Sequence, residues 1–240
     1  MDIFQAVILA FIQGLTEFLP VSSSAHLVIF PQFFDWPDQG LAFDVVLHFA
    51  SLCAVVIYYK DSIVLLSQDF FSSVSTRKMP GDSFLAWGVL LGTIPVGLAG
   101  LFFNDFVEIN LRSFHVVAYA TILFGILLGL SDIVHRARDI NRELIRGSDI
   151  LIIGCFQALA LIPGTSRAGI TITAALLIGL SRKLSIKFAF LLSIPVITLA
   201  TIMKLFELTN EPQQVNWLFL LLGFAIAFLT SYFTIVFFIK

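Results

Sequence analysis

The stretch FIQGLTEFLPVSSSAHLVIF, residues 11–30, sets polar side chains into an apolar segment and interrupts that segment with a proline. A carboxylate at the centre of a bilayer costs about 2.5–3.5 kcal/mol on insertion scales, so Glu17 and His26 are candidates for function. Pro20 lacks a backbone N–H, so inside a helix it would remove a hydrogen bond and kink or break the helix. The stretch therefore predicts two short helices joined at a break, with the polar side chains gathered around it.

The composition indicates a membrane protein. Hydrophobic residues make up 58% of the 240 residues and charged residues only 12%, whereas a soluble domain holds about 25% charged residues. A helix needs about 20 apolar residues to cross a bilayer. Five runs approach this length: 42–59, 84–103, 113–131, 185–206 and 217–239. We predict an all-α polytopic membrane protein with a single membrane domain over residues 1–240, and the net charge of −2 gives no sign of a nucleic-acid partner.

Basic residues predict the topology. The segment 132–148 holds four arginines and the segment 60–78 three basic residues, so both are assigned as cytoplasmic loops by the positive-inside rule. Basic residues at 182, 183 and 187 also favour the cytoplasm, so the segment 149–180 must begin and end on one side. Pro163 and Gly164 interrupt this segment, which predicts a re-entrant helix-loop-helix, since broken backbone at membrane depth needs protein or a wet cavity around it.

The two interrupted segments resemble each other. With Pro20 aligned to Pro163, PVSSSAH lies over PGTSRAG. We predict inverted-topology repeats, each with a re-entrant helix-loop-helix followed by transmembrane helices: repeat one at about 1–131, a cytoplasmic basic loop at 132–148 and repeat two at about 149–240. Such broken helices meet near the midplane and build the site there. Repeat two has no counterpart of the run 113–131, and we expect a last helix to be absent.

The polar residues at the two breaks suit a phosphate ligand. Gln13 and Glu17, four residues apart, share one helical face. The segment after Pro163 is expected to begin a helix whose free N–H groups and dipole favour phosphate. Arg167 offers a planar fork for two phosphate oxygens, and His26 can serve as a base or an acid.

Other interpretations of these residues remain open. Glu17 and Arg167 could form a structural ion pair, and the serines could bond back to their own helices. Asp44 and His48 are also four residues apart and could line the pocket or orient their own helix, and we favour the structural role.

Two motifs resemble those of a known family. QGLTEFLPVSSSAH resembles (E/Q)xxxE followed by PVSS(S/T)xH, and PGTSRAGIT resembles PGxSRSxxT, both from the bacterial undecaprenyl-diphosphate phosphatases, the bacitracin-resistance membrane enzymes. The run FDVVLHFASLCAVVIYY is similar to the family's next helix, and the resemblance covers essentially the whole chain.

The resemblance implies hydrolysis of a polyprenyl diphosphate to the monophosphate and inorganic phosphate, which recycles the lipid carrier of cell-wall synthesis in the bacterial plasma (inner) membrane. It implies a divalent cation, Mg²⁺ or Ca²⁺, held in part by Glu17. Carried over by position, Glu17 is the essential carboxylate, Ser23 the nucleophile or a substrate-binding hydroxyl, His26 the base or acid, and Arg167 the phosphate clamp. The resemblance assigns substrate binding to six further residues: Gln13, Ser22, Ser24, Gly164, Thr165 and Ser166.

Two departures from the motifs bear on these roles. Gln13 stands where other members have Glu and is a poorer cation ligand, and Ala168 replaces the second Ser of PGxSRS.

A transporter or flippase for an anionic phospholipid is the alternative function, because inverted repeats with broken helices are typical of transporters. A Ser and a His beside the clamp favour hydrolysis, since transport needs neither. The expected partners are the polyprenyl diphosphate and the membrane lipids, and a homodimer is left open.

Overall fold

The computed structural model describes residues 1–111, 113–138, 140–210 and 216–239. Within these ranges ten α-helices follow one another: α1 (Ile3–Thr16), α2 (Ser23–Phe33), α3 (Leu41–Tyr58), α4 (Lys60–Thr76), α5 (Ser83–Asn110), α6 (Phe114–Arg138), α7 (Gly147–Ala158), α8 (Arg167–Leu177), α9 (Arg182–Asn210) and α10 (Trp217–Ile239). A single 3-10 turn, Leu159–Leu161, follows α7.

Five of the described helices are long and apolar enough to cross a membrane, namely α3, α5, α6, α9 and α10. They lie at the five runs predicted from the sequence, which confirms the all-α polytopic class.

Two segments predicted to be loops contain helix. α6 continues to Arg138, so the loop prediction for 132–148 is wrong for its first part. Basic side chains stabilise the C-terminal turn of a helix, and Arg136 also pairs with Asp132 one turn earlier at 2.7 Å. α4 fills most of the segment 60–78. The charged residues predicted where each apolar run ends, but they did not predict whether the helix continues beyond that point.

The first broken segment consists of α1 and α2, which pack against each other. With 14 residues, α1 is about 21 Å long, too short to cross a hydrocarbon core of about 30 Å. The break contains Pro20, and Ser22 caps α2 by accepting a hydrogen bond from the N–H of Ala25. Ser22 has a φ of 61°, which is uncommon for a residue with a side chain and marks a constrained turn.

The second broken segment returns to its starting point. Arg142, just before α7, pairs with Leu180, just after α8, in an isolated parallel bridge. The Arg142 N–H donates to the Gly179 carbonyl at 3.0 Å, and the Ser181 N–H donates to the Arg142 carbonyl at 2.9 Å. The two ends therefore meet, as the predicted helix-loop-helix requires. Its position in the bilayer and the inverted relation of the repeats stay predictions.

Close packing holds both breaks in the interior. α1 packs on α10 so tightly that a Cβ at Gly14 would lie 2.7 Å from the Ala227 carbonyl oxygen. At the second break Gly164 has a φ of +96°, and a Cβ there would collide with the Val117 carbonyl oxygen of α6. Thr121 of α6 donates a hydrogen bond to the Gly164 carbonyl at 3.1 Å. These contacts bring the first half of the chain against the tip of the second broken segment.

Candidate active site

The two breaks meet through an ion pair between Glu17 and Arg167. Arg167 Nη2 lies 2.7 Å from Glu17 Oε1, and only 14% and 6% of the two side chains are exposed. Glu17 follows α1 directly, and Arg167 is the first residue of α8, 150 positions later. The structure therefore brings together the two ionisable side chains that the sequence placed at separate breaks.

The second oxygen of Glu17 is held by two donors from its own broken segment. Gln13 Nε2 donates to Glu17 Oε2 at 2.9 Å, as the spacing of four residues predicts. Ser23 Oγ donates to the same oxygen at 2.6 Å across the break. A carboxylate that accepts from an arginine, an amide and a hydroxyl is well stabilised as the anion.

His26 is half-buried in the first turn of α2 and is not ion-paired with Glu17. Its Nδ1 lies 2.8 Å from the Ser22 carbonyl oxygen. Because a carbonyl oxygen only accepts hydrogen bonds, Nδ1 carries the proton in this contact, and Nε2 of a neutral ring is free to accept one. The hydroxyl of Ser23 is bonded to Glu17 rather than to His26, so any proton that His26 handles comes from another group.

His48 of α3 is the residue that sequence reasoning undervalued. Its Nδ1 lies 2.8 Å from the Asp44 carbonyl oxygen, and its Nε2 lies 3.8 Å from Glu17 Oε2. The ring is therefore bonded to its own helix and also lines the site. Both roles considered from the sequence, a structural one within α3 and a place in the pocket, are present. The spacing of Asp44 and His48 on one face of α3 was the available signal, but only the packing of α3 against α1 shows which way that face points.

The start of α8 forms the other wall of the site. Ser166 caps the helix, its Oγ accepting from the Gly169 N–H at 3.1 Å. The Thr165 hydroxyl is buried and has no hydrogen-bond partner among the described residues. Buried polar atoms rarely lack a partner, so Thr165 retains a hydrogen bond to offer a ligand beside the free N–H groups of the helix start.

The three serines of the first break have different positions. Ser22 is buried and caps α2, Ser23 bonds to Glu17, and Ser24 is exposed with its Oγ 3.3 Å from Ser22 Oγ.

The protein oxygens at this site can hold a divalent cation only if a bound ligand supplies further oxygens. Gln13 Oε1 is buried and lacks a hydrogen-bond partner among the described residues, while the amide nitrogen is committed to Glu17. The only carboxylate here, Glu17, is already shared with Arg167, and the described residues contain no cluster of three His, Cys, Asp or Glu side chains able to hold a metal. Mg²⁺ is commonly bound by one or two carboxylates plus substrate phosphates. Glu17 supplies one such carboxylate, and Gln13 Oε1 adds a neutral oxygen that is a poorer ligand.

Known proteins match the chain over essentially its whole length. The family model described as bacitracin resistance protein BacA matches residues 6–240. The chain is 55% identical over 240 residues to a protein named undecaprenyl-diphosphatase from Ruthia magnifica subsp. Calyptogena magnifica, covering 100% of this chain and 90% of that protein. It is 51% identical over 242 residues to undecaprenyl-diphosphatase 2 of Stutzerimonas stutzeri (strain A1501), covering 100% of this chain and 90% of that protein. It is 48% identical over 232 residues to an undecaprenyl-diphosphatase of Campylobacter concisus (strain 13826), covering 97% of this chain and 87% of that protein.

Removing one member of the Glu17–Arg167 pair should destabilise the protein more than removing both. Arg167→Gln leaves a buried carboxylate without its cation, which costs about 3–5 kcal/mol for buried pairs. In the double variant Glu17→Gln/Arg167→Gln, two neutral amides can bond to each other. We expect the single variant to lower the thermal unfolding midpoint in detergent, and the double variant to recover most of that loss.

Arg182→Gln is the matched control, because Arg182 and its partner Asp132 have 49% and 28% of their side chains exposed. Water replaces a lost bond at such a site, so the midpoint should change little. The prediction would be contradicted if the unfolding midpoint of the double variant fell by the sum of the losses of the two single variants.

Proposed function

The chain belongs to the family of bacitracin resistance protein BacA, and we propose that it hydrolyses undecaprenyl diphosphate at the site formed by Glu17 and Arg167. The products are undecaprenyl monophosphate and inorganic phosphate, so the enzyme is a phosphatase that returns the lipid carrier to cell-wall synthesis. The observation that carries the assignment of the site is the buried ion pair joining the two breaks at 2.7 Å. The five helices of spanning length make it a multi-pass membrane enzyme, and its location is the plasma membrane, where the carrier is used.

Arg167 and the start of α8 bind the terminal phosphate. The guanidinium has five N–H donors, and its bond to Glu17 uses one of them at Nη2, so it can reach phosphate oxygens in the same plane. The N–H groups at the start of α8 and the Thr165 hydroxyl add neutral donors. Charge stabilisation and positioning supply most of the catalysis in phosphoryl transfer, because the transition state is loose.

Ser23 is the proposed nucleophile, and Glu17 accepts its proton. When phosphate draws the positive charge of Arg167 away from Glu17, the carboxylate accepts a proton more readily, and Ser23 Oγ already donates to it at 2.6 Å. The Ser23 oxygen then bonds to the terminal phosphorus while the bond from that phosphorus to the bridging oxygen breaks. The bridging oxygen leaves with undecaprenyl monophosphate. Water then attacks the phosphoserine, the bond from phosphorus to Ser23 Oγ breaks, and Glu17 returns its proton to Ser23 Oγ as inorganic phosphate leaves.

His26 handles the proton of the second step. Its Nδ1 is held by the Ser22 carbonyl, so the Nε2 of the neutral ring can take a proton from the water that attacks phosphoserine. His48 Nε2 lies 3.8 Å from Glu17 Oε2 and lines the site from the α3 side.

A divalent cation, when bound, supplies further charge neutralisation at the phosphate oxygens. Glu17 and the Gln13 amide oxygen are the protein groups that would hold it. A single carboxylate predicts weak binding that depends on substrate, because the diphosphate must complete the ligand set.

Loss of either member of the ion pair should abolish phosphate release. Glu17→Ala and Arg167→Ala remove the proton acceptor and the phosphate clamp, and removing one such electrostatic group typically lowers kcat about 100–1000-fold. Inorganic phosphate released from undecaprenyl diphosphate by purified protein in detergent is the measurement. Arg182→Ala, which breaks an ion pair with Asp132 away from the two breaks, should retain activity.

Near-normal release by Arg167→Ala would refute the assignment of the site. A wild-type protein that binds the lipid and releases no phosphate would favour the flippase instead.

Ser23→Ala and His26→Ala should fail at different steps. Ser23→Ala cannot form a phosphoserine, whereas His26→Ala forms it and then hydrolyses it about 100–10,000-fold more slowly. Acid quenching after mixing with substrate labelled in the terminal phosphate should therefore show label on the protein in His26→Ala and none in Ser23→Ala. Substantial turnover by Ser23→Ala would instead assign the attack to water.

Chelation should lower the rate of phosphate release more than about 10-fold, and added Mg²⁺ or Ca²⁺ should restore it. Gln13→Glu supplies the carboxylate that other members of the family carry and should reduce the cation concentration needed for half-maximal release. Release unchanged by excess chelator would remove the cation from the reaction and leave the roles of Arg167 and Ser23 in place.

A further inference from the structure

His48 of α3 points an accepting nitrogen at the Glu17 carboxylate. Its Nδ1 lies 2.8 Å from the Asp44 carbonyl oxygen, so Nδ1 carries the proton of the neutral ring and Nε2 carries a lone pair. That Nε2 lies 3.8 Å from Glu17 Oε2, which is also an acceptor. The neutral ring places no hydrogen between these two atoms, so a positive centre between them would turn an unfavourable contact into a favourable one.

Gln13 contributes a second acceptor without a partner at the same carboxylate oxygen. The residue is fully buried, and its Oε1 accepts no hydrogen bond from any part of the chain that the structure describes. Its Nε2 donates to Glu17 Oε2 at 2.9 Å. Half a turn of the amide exchanges its nitrogen and oxygen, which brings Oε1 next to Glu17 Oε2. Acceptors from α1 and α3 can therefore meet at one carboxylate oxygen.

The ring of His48 is held in the way that metal-binding histidines are held. Such a histidine almost always donates its other N–H to a carboxylate, a backbone carbonyl or water, and here the acceptor is the Asp44 carbonyl. Nitrogen and oxygen ligands lie about 2.0–2.2 Å from a metal ion, so two ligands of one ion can be separated by up to about 4.2 Å. The 3.8 Å between Nε2 and Oε2 falls within that range. The His48 side chain is 32% exposed, so water and substrate oxygens can complete the coordination from that side.

We propose that His48 binds the divalent cation through Nε2, together with Glu17 Oε2 and Gln13 Oε1. This inference rests on the proposed function for the presence of a cation at this site, and it adds a nitrogen ligand to the two oxygen ligands. The nitrogen changes which cation fits best. Mg²⁺ and Ca²⁺ prefer oxygen ligands, whereas an imidazole suits transition metals such as Zn²⁺. The site is therefore expected to bind Zn²⁺ more tightly than Ca²⁺.

Bound Mn²⁺ reports its nitrogen ligands directly in a pulsed EPR spectrum. The purified protein, freed of any histidine tag, is loaded in detergent with Mn²⁺ and a prenyl diphosphonate in which a methylene group replaces the bridging oxygen, so that no hydrolysis occurs. We expect the wild type to show hyperfine coupling from one imidazole nitrogen. His48→Gln should abolish this coupling and weaken Mn²⁺ binding at least about 10-fold, because loss of a contact that merely supports a ligand already costs about 10–100-fold.

The other histidines provide matched controls, since the chain has four in all. His115→Gln makes the same substitution at an exposed residue near the start of α6, and His26→Gln makes it at the first break. Both should retain the nitrogen coupling. If His48→Gln fails to fold, wild-type protein carrying histidine labelled with the heavy nitrogen isotope should show an altered coupling. Its retention in the variants of His26, His115 and His135 then leaves His48 as the ligand.

Cation preference gives a second readout that loss of stability would not imitate. His48→Gln replaces the nitrogen with an amide oxygen, so competition against Mn²⁺ should show Zn²⁺ affinity falling more than Ca²⁺ affinity. A merely structural role of His48 would lower both affinities equally.

The outcomes separate this proposal from the proposed function. Wild-type protein that binds no Mn²⁺, or binds it without nitrogen coupling, overturns the proposal. Coupling that survives in His48→Gln and disappears in His26→Gln overturns it as well, and assigns the ligand to His26. A wild-type protein that releases no phosphate from undecaprenyl diphosphate contradicts the proposed function, while the EPR spectra still decide whether His48 is a ligand.

Discussion

A buried ion pair between Glu17 and Arg167 is the constraint on which the rest of the structure depends. Each side chain lies at a break in an otherwise apolar segment, and each would be costly to bury alone. Their meeting satisfies both charges, and Gln13 and Ser23 satisfy the second carboxylate oxygen. Two short helical pairs that cannot cross a bilayer by themselves are in this way held tip to tip in the interior.

The same pair sets the starting point of the proposed reaction. With Glu17 bonded to Arg167 at 2.7 Å, the guanidinium is buried and oriented. In that reaction the phosphate binds the guanidinium donors that Glu17 leaves free and draws positive charge away from the carboxylate, at the step in which Ser23 gives Glu17 its proton. The meeting of the two breaks and the proposed chemistry therefore both rest on one carboxylate shared among an arginine, an amide and a hydroxyl.

Helix α6 links this site to the rest of the fold. It comes from the first half of the chain, yet Thr121 holds the tip of the second broken segment through the Gly164 carbonyl. One end of the same helix carries Arg138, which donates to the Leu177 carbonyl at the end of α8. Between these contacts lie Gly125 and Gly129, where a Cβ would meet no atom of the described residues within 4 Å. One helix thus contacts the second broken segment both at its tip and at the end of α8.

Much of this protein could be predicted from the sequence, because the cost of burying charge in lipid is a property of the residues themselves. Scarcity of charge located the five spans, and the isolated Glu17 and Arg167 identified the polar site. Proline together with neighbouring polar residues located the two breaks, whereas proline alone did not mark a break, since Pro31, Pro95 and Pro195 lie inside helices. The pairing of Ser23 with Glu17 instead of His26, the approach of His48 and the helical course of 132–138 were decided only by the tertiary structure. Each of these depends on how a helix is rotated and which neighbour it packs against, and residue spacing within a helix leaves that rotation undetermined.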